Sequence, residues 1–469
     1  MKNHSQYSKL FICFLLGITL WVLAGTNEVP INAWRIFAVF IAVITSFILR
    51  PFPIGMMVLT GLVILIASGT ITLEESLSGF ADATVWLVIA AFLLAGAMIN
   101  TGLGKRIALW LVLRLGKTIK GLAYAICGSE FLLATVMPSN TARGGGIHAP
   151  IVNSLAQSLG SHQSNKPDRA GIFLSLVGAH ANLIAASMFM TGMAANPIVT
   201  KAVKDVYDID FGWGTWALGA IVPGLVALLI LPHLIAKLAP PTIKDGHLAQ
   251  KEASRLLKEM GPISRNEKIM AVVLILLLLL WTTKFLHGFG TTTVAMIAVI
   301  VLLITKAQSW KDVITNEMAW DTLVWLGGLL TMANLLLKYG FIQWFVENVQ
   351  ASVGGVTGLA AILILGIIYF YSMYAFSMLT AHIAAMAGPF LAVCFTLNGQ
   401  PYVAAAVFAY FSCLCGCTTN YSSGPIIIYF GLGYVTAPKW FSVGFAISIF
   451  HMFIWILVGL LWWKILGWW

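Results

Sequence analysis

The sequence predicts an all-α polytopic membrane protein with about eleven transmembrane helices, two re-entrant hairpins and an inverted-topology repeat. Three observations carry this. Only 9% of the 469 residues are Asp, Glu, Lys or Arg, against about 25% in a soluble domain. Apolar residues make up 59%, and the mean hydropathy is +0.91. Breaks marked by proline and glycine recur at matched spacing inside long apolar runs. Such a chain excludes disorder, a coiled coil and an ordinary soluble globule. The net charge of +10 is not read as nucleic-acid binding, because no soluble stretch is long enough to form a binding domain. The six cysteines all lie in apolar runs and carry no disulfide pattern.

A spanning helix needs about 17–25 mostly apolar residues. Continuous candidates begin near Leu10, Trp34, Ile54, Thr84, Trp216, Ile269, Thr291, Thr322 and Phe441. Two longer runs, 170–203 and 403–434, read as broken helices and bring the crossings to eleven. Lys2 and Lys9 precede the apolar run 10–24, and no convincing cleavage site follows, so the first helix is expected to be retained. Segments 121–159 and 356–397 are apolar but interrupted, and read as hairpins that enter and leave on one side. In the first, Pro138 and three glycines at 144–146 are expected to give non-helical backbone. The piece after that break, 147–159, would reach roughly 20 Å, short of a hydrocarbon core of about 30 Å.

With the N-terminus in the cytoplasm, twenty of the 27 Lys and Arg fall inside and six outside. The asymmetry predicts N-in, C-out in a bacterial inner membrane. The polar stretch 239–268 then lies inside as a short surface helix. The expected blocks are N-terminal scaffold helices over 1–81 and a first repeat core over 82–211. Scaffold helices with the cytoplasmic loop follow over 212–320, and a second repeat core with the last helix over 321–469.

The repeat shows in Asp82-Ala-Thr-Val-Trp-Leu87 and Asp321-Thr-Leu-Val-Trp-Leu326, which lie 239 positions apart. The same offset carries Thr141, in the first hairpin, onto Thr380 in the second. Five crossings separate the copies, an odd number, so they point oppositely. Both Asp residues are expected to cap helix N-termini. Inverted repeats with paired discontinuous helices mark secondary transporters. Each half supplies two breaks: Ser139-Asn140-Thr141 and Ser187-Met-Phe-Met-Thr191-Gly192 through Pro197 in the first, Met378-Leu-Thr380-Ala-His382 and Cys417-Thr-Thr419-Asn420 through Pro425 in the second. Free N–H groups and positive dipole ends at such breaks favour an anion.

These segments resemble the signature segments of the divalent anion:sodium symporter family. The nearest branch is that of the 2-oxoglutarate/malate translocators and the citrate– and tartrate–succinate antiporters. The resemblance covers nearly the whole chain, including Ala319-Trp-Asp-Thr-Leu-Val-Trp325 and the Trp-rich end. It implies eleven helices with two hairpins, a homodimer, and elevator-like movement of a hairpin-bearing domain. It places Ser139, Asn140 and Thr141 on one carboxylate of a C4–C6 di- or tricarboxylate. Thr380 is placed on the other, with help from Thr419 and Asn420; Thr191 and Gly192 belong to the unwound helix beside them. Two departures stand out. Family symporters carry a second Ser-Asn-Thr where this chain has Met378-Leu379-Thr380, and the last loop reads Thr418-Thr419-Asn420-Tyr421-Ser422-Ser423.

Arg143 is a charge at membrane depth and a functional candidate by default. It either acts on the substrate or pairs with Glu130 in the same hairpin. His382 is placed to supply partial positive charge, or packs through hydrogen bonds. Fixed cations, with the second Ser-Asn-Thr absent, favour obligate exchange over Na⁺ symport. No cofactor is expected, Na⁺ is not favoured, and Cys413, Cys415 and Cys417 diverge around a helix rather than forming a metal site. The expected partners are small carboxylates, the lipid bilayer and a second copy of the chain, with no nucleic acid. An intramembrane enzyme or a structural scaffold would leave the repeat and its breaks unexplained, so no enzyme activity is expected.

Overall fold

A computed structural model describes residues 2–24, 29–352 and 356–469. Its first helices are α1 (Lys2–Val22), α2 (Ile31–Leu49), α3 (Ile54–Ala67), α4 (Leu73–Leu77), α5 (Ala83–Thr101) and α6 (Leu103–Leu115). The first hairpin is α7 (Ile119–Ala134) and α8 (Ala149–Ser158), joined through a wide π-helical turn, Thr141–His148. The first broken helix is α9 (Gly171–Met188) and α10 (Asn196–Tyr207), and α11 (Trp213–Leu238) follows. Five helices bridge the halves: α12 (His247–Glu259), α13 (Arg265–Thr282), α14 (Lys284–His287), α15 (Thr291–Ile304) and α16 (Trp310–Ile314). The second half repeats the plan with α17 (Glu317–Lys338), α18 (Phe341–Ser352), hairpin legs α19 (Gly358–Ser372) and α20 (Leu379–Thr396), and a broken helix α21 (Pro401–Leu414) and α22 (Gly424–Gly431). The last helices are α23 (Ala437–Phe453) and α24 (Gly459–Ile465). The offset of 239 carries Ile119, the start of α7, onto Gly358, the start of α19.

Nine helices among the described residues are long and apolar enough to cross a membrane. The described residues form two compact units. One comprises 1–89, 197–210 and 317–408; the other comprises 90–196, 211–316 and 409–469. Each is therefore assembled from three stretches of chain.

In the first unit, α17 packs on α2 and α3 and receives the short turn at 78–81. Gly79 enables that approach. Its N–H donates to Thr331 Oγ1 at 3.0 Å, and a β-carbon there would stand 2.5 Å from the Thr331 nitrogen. The ends of the second hairpin meet where Gly358 N–H donates to Leu397 O at 2.7 Å. In the second unit α9 is the central helix. Every residue from Gly171 to Met188 except Ile172 is buried, and α7, α8, α11 and α22 surround it.

Three expectations change. The glycines at 144–146 are helical, inside the π turn, so the non-helical stretch is confined to the residues just before it. Two of them serve close packing instead: a β-carbon on Gly144 would stand 2.6 Å from Asn182 Nδ2, and one on Gly145 would strike Ile428. The second leg of the first hairpin accordingly runs from Thr141 to Ser158, longer than the piece the sequence suggested. Its re-entrance rests on where its ends are tied. Ile119 N–H donates to Lys244 O at 3.0 Å and Ser154 Oγ donates to Glu252 at 2.9 Å, so both ends sit on the polar segment around α12. Finally, Asp82 caps α5, accepting from Thr84 N–H at 2.7 Å, but α17 begins at Glu317, so Asp321 lies a turn inside its helix and faces Gly55.

Around α12, Arg255 and the Ser154 hydroxyl hold the Glu252 carboxyl below its ordinary range. That contribution is present at neutral pH and is lost as pH falls through the depressed pKa.

Replacing Gly79 by Val should destabilise the protein by about 1–3 kcal/mol through overpacking against α17. Gly388→Ala, where an added β-carbon meets nothing within 4 Å, should leave the melting temperature of detergent-purified protein unchanged. Equal melting temperatures for the two variants would refute the close approach.

Candidate functional site

The first hairpin turns because Pro138 lacks a donor and Ser139 restarts the helix. Ser139 Oγ accepts from Ala142 N–H at 3.0 Å and Ser139 O accepts from Arg143 N–H at 2.9 Å, the work of a helix N-cap. Arg143 then points into the second unit and is fully buried, as is Glu130 on α7. Arg143 Nε donates to Glu130 Oε2 at 2.6 Å. Its Nη1 donates to Met137 O at 2.8 Å and to Gly192 O at 3.1 Å. Asn182 on α9 donates from Nδ2 to Glu130 Oε2 at 3.0 Å and to Asn140 O at 3.2 Å. His148 Nδ1 lies 3.1 Å from Glu130 Oε1, and His148 Nε2 lies 2.7 Å from Ser129 Oγ.

A lone buried guanidinium would cost several kcal/mol. Here one carboxylate cancels the charge and backbone carbonyls take further donors. Arg143 thus takes up the Glu130 pairing. It also fixes the hairpin tip to the unwound segment after α9.

That segment is a short 3₁₀ turn, Met190–Gly192. Thr191 Oγ1 donates to Thr135 O at 2.7 Å and accepts from Trp213 Nε1 at 2.8 Å, so its hydroxyl binds hairpin to helix. Gly192 leaves room for the Ala186 backbone, 2.6 Å from where its β-carbon would stand. Asn196 closes the turn by donating to Ala186 O at 2.9 Å and Phe189 O at 3.0 Å.

The second break in this unit runs through the 3₁₀ turn Cys415–Thr418 into extended backbone at Thr419 and Ser423, before α22 starts at Gly424. Trp440 Nε1 holds it by donating to Thr419 O at 3.1 Å, and Ser422 Oγ donates to Gly416 O at 2.6 Å. The two breaks meet. A β-carbon on Gly424 would strike the Thr141 side chain, and one on Gly144 would lie 3.0 Å from Pro425 Cβ. Among the buried polar atoms here that have no hydrogen-bond partner, Asn140 Nδ2, Thr419 Oγ1 and Ser423 Oγ can donate, while Asn182 Oδ1 and Glu130 Oε1 are acceptors. Unpaired buried donors are costly, and these stand where the first α22 N–H groups also lack intrahelical partners. Asn420 is half-buried in the same loop.

Of the ten residues singled out, eight therefore lie in this unit: Ser139, Asn140, Thr141, Arg143, Thr191, Gly192, Thr419 and Asn420. Thr380 and His382 lie in the other, at the start of α20. His382 is fully buried, and its Nε2 lies 2.8 Å from Ser372 Oγ and 3.0 Å from Tyr369 O. Its ring centroid is 4.4 Å from that of Tyr369. The offset of 239 carries Arg143 onto His382 and Glu130 onto Tyr369. The contact that is an ion pair in one hairpin is an imidazole–phenol contact in the other. Sequence reasoning missed Asn182, His148 and Asn196. An Asn in an otherwise apolar run, as at 182, was the available signal.

A family model described as "Sodium:sulfate symporter transmembrane region" matches residues 4–469. A Bacillus subtilis (strain 168) protein named "Putative malate transporter YflS" is 42% identical over 461 residues, covering 98% of this chain and 96% of its own. "Dicarboxylate transporter 1, chloroplastic" of Spinacia oleracea is 40% identical, with 98% of this chain and 81% of the relative covered. "Inner membrane protein YbhI" of Escherichia coli (strain K12) is 35% identical, with 95% and 94% covered. In fold, the chain resembles the crystal structure of the Alcanivorax borkumensis YdaH transporter, with a TM-score of 0.61 at 15% identity and 99% of each chain covered.

Glu130→Gln leaves Arg143 charged and unpaired and should cost about 3–5 kcal/mol. Arg143→Lys should also destabilise, since an ammonium cannot reproduce the fork of donors. Glu130→Gln with Arg143→Met should recover part of either loss, read as melting temperature in detergent. Additive losses would show that the two residues do not act as a pair.

Proposed function

Because the chain belongs to the sodium:sulfate symporter transmembrane family, we propose that it is a secondary transporter of C4–C6 di- or tricarboxylate anions in a bacterial inner membrane, working by exchange with elevator-type alternating access. The observation that carries the substrate class is the meeting of two helix breaks in one unit, with Asn140 Nδ2, Thr419 Oγ1 and Ser423 Oγ buried and unpartnered. A carboxylate accepts hydrogen bonds at two oxygens, and such donors, with the N-terminus of α22, satisfy it in low dielectric. Relatives named for malate and dicarboxylate transport support the same class.

Arg143 acts as a positioning residue in this reading. Its donors are committed to Glu130 and backbone carbonyls, and its charge is cancelled. Exchange therefore rests on Met378-Leu379-Thr380 standing where family symporters have a second Ser-Asn-Thr, rather than on a fixed cation at Arg143. The family description itself supports the rival reading, Na⁺ symport.

Proteoliposomes decide between them. Labelled malate uptake should require an internal dicarboxylate and should be unchanged when K⁺ replaces Na⁺. Na⁺-dependent uptake into vesicles without counter-anion would overturn exchange. Thr419→Val should cut uptake at least about tenfold while leaving the melting temperature unchanged, because Thr419 Oγ1 has no protein partner to lose. Normal uptake by that variant would refute the site.

A further inference from the structure

The chain between α6 and α7 is zipped to a stretch some 130 positions away. Thr118 and Asp245 form an antiparallel bridge. Ile119 N–H donates to Lys244 O, and Gly246 N–H donates to Lys117 O, each at 3.0 Å. Gly246 permits the contact, since a β-carbon there would strike Gly116 O. The pairing gathers Arg114, Lys117, Lys120 and Lys244 on one exposed edge of the second unit.

None of these four cations takes part in an ion pair among the described residues. The acidic groups near them are engaged elsewhere. Asp245 accepts from His247 Nδ1 at 2.6 Å, Glu252 and Glu259 bind Arg255, and Glu267 binds Arg106. Arg114 lies over the Trp110 ring at 5.1 Å. The same edge exposes apolar side chains, with Trp110 at 50%, Leu115 at 45% and Leu248 at 50% of their surface.

We propose that this edge binds the headgroups of anionic phospholipids. The charge alone would suit any anion. Exposed Trp and Leu among the cations select a membrane surface, where aromatic rings sit at headgroup depth and basic side chains meet phosphate. A soluble acidic partner would leave those apolar side chains unaccounted for. The position gives the contact a consequence: Lys120 is the second residue of α7, so a bound headgroup grips the root of the hairpin whose tip carries Ser139. The lipid contact itself does not depend on the identity of the cargo.

The test uses the full chain in neutral detergent. Phosphatidylglycerol should raise the melting temperature by several degrees, and phosphatidylcholine should not. The rise should shrink with added salt. A variant carrying R114Q, K117Q, K120Q and K244Q should lose most of the rise, and most of the phosphatidylglycerol adducts seen by native mass spectrometry, while melting as the parent does without lipid. If that variant fails to fold, K117Q with K244Q makes the same comparison. Equal phosphatidylglycerol retention by parent and variant overturns the proposal. So does an equal shift with inorganic phosphate, which would mark a free-anion site.

Discussion

The ion pair of Glu130 and Arg143 is the constraint on which the second unit depends. Two charges are buried completely, and the cost of desolvating them is offset by their mutual attraction and by the hydrogen bonds the guanidinium and the carboxylate make. Those bonds fix geometry. The hairpin tip must offer Met137 O, the unwound helix must offer Gly192 O, and α9 must supply Asn182. The three elements are thereby held together by one guanidinium and one carboxylate. The break at Thr419 and Ser423 can then meet a tip that is already in place.

The second hairpin solves the same packing problem without a Glu–Arg ion pair. Tyr369 and His382 occupy the repeat positions of Glu130 and Arg143, and the imidazole bonds to the Tyr369 carbonyl across the hairpin. The tip residues diverge in step. Ser139 and Asn140 correspond to Met378 and Leu379, so the polar face of one tip is apolar in the other. The repeat preserves element boundaries and contact positions, while its chemistry is asymmetric.

Much of this was legible in the sequence because lipid imposes strong local rules. Low charge content gave the class, apolar length gave the helices, and the 239-residue offset aligned the breaks at Thr141 and Thr380 in the two hairpins. The breaks at Thr191 and Thr419 were readable because proline and glycine interrupt apolar runs. What could not be read is mostly partnership across the chain. Nothing near residue 182 says that its amide meets Glu130, and nothing near Thr191 says that its hydroxyl is spent on Thr135 and Trp213. The glycines at 144–146 misled for a related reason. A glycine run signals backbone freedom and close approach equally well, and only the neighbours, Asn182, Pro425 and Ile428, decide between them.

The cancellation at Glu130 also bears on energetics under a membrane potential. Moving one elementary charge through 100 mV takes about 2.3 kcal/mol. In the alternating-access cycle proposed for this chain, an unpaired Arg143 would make each reorientation of the hairpin voltage-sensitive. Paired with Glu130, its guanidinium would contribute only a small internal dipole. In the exchange proposed for this chain, the electrical work of a cycle would then be set by the valence of what is carried in each direction, and a swap of equally charged passengers would run indifferent to the potential.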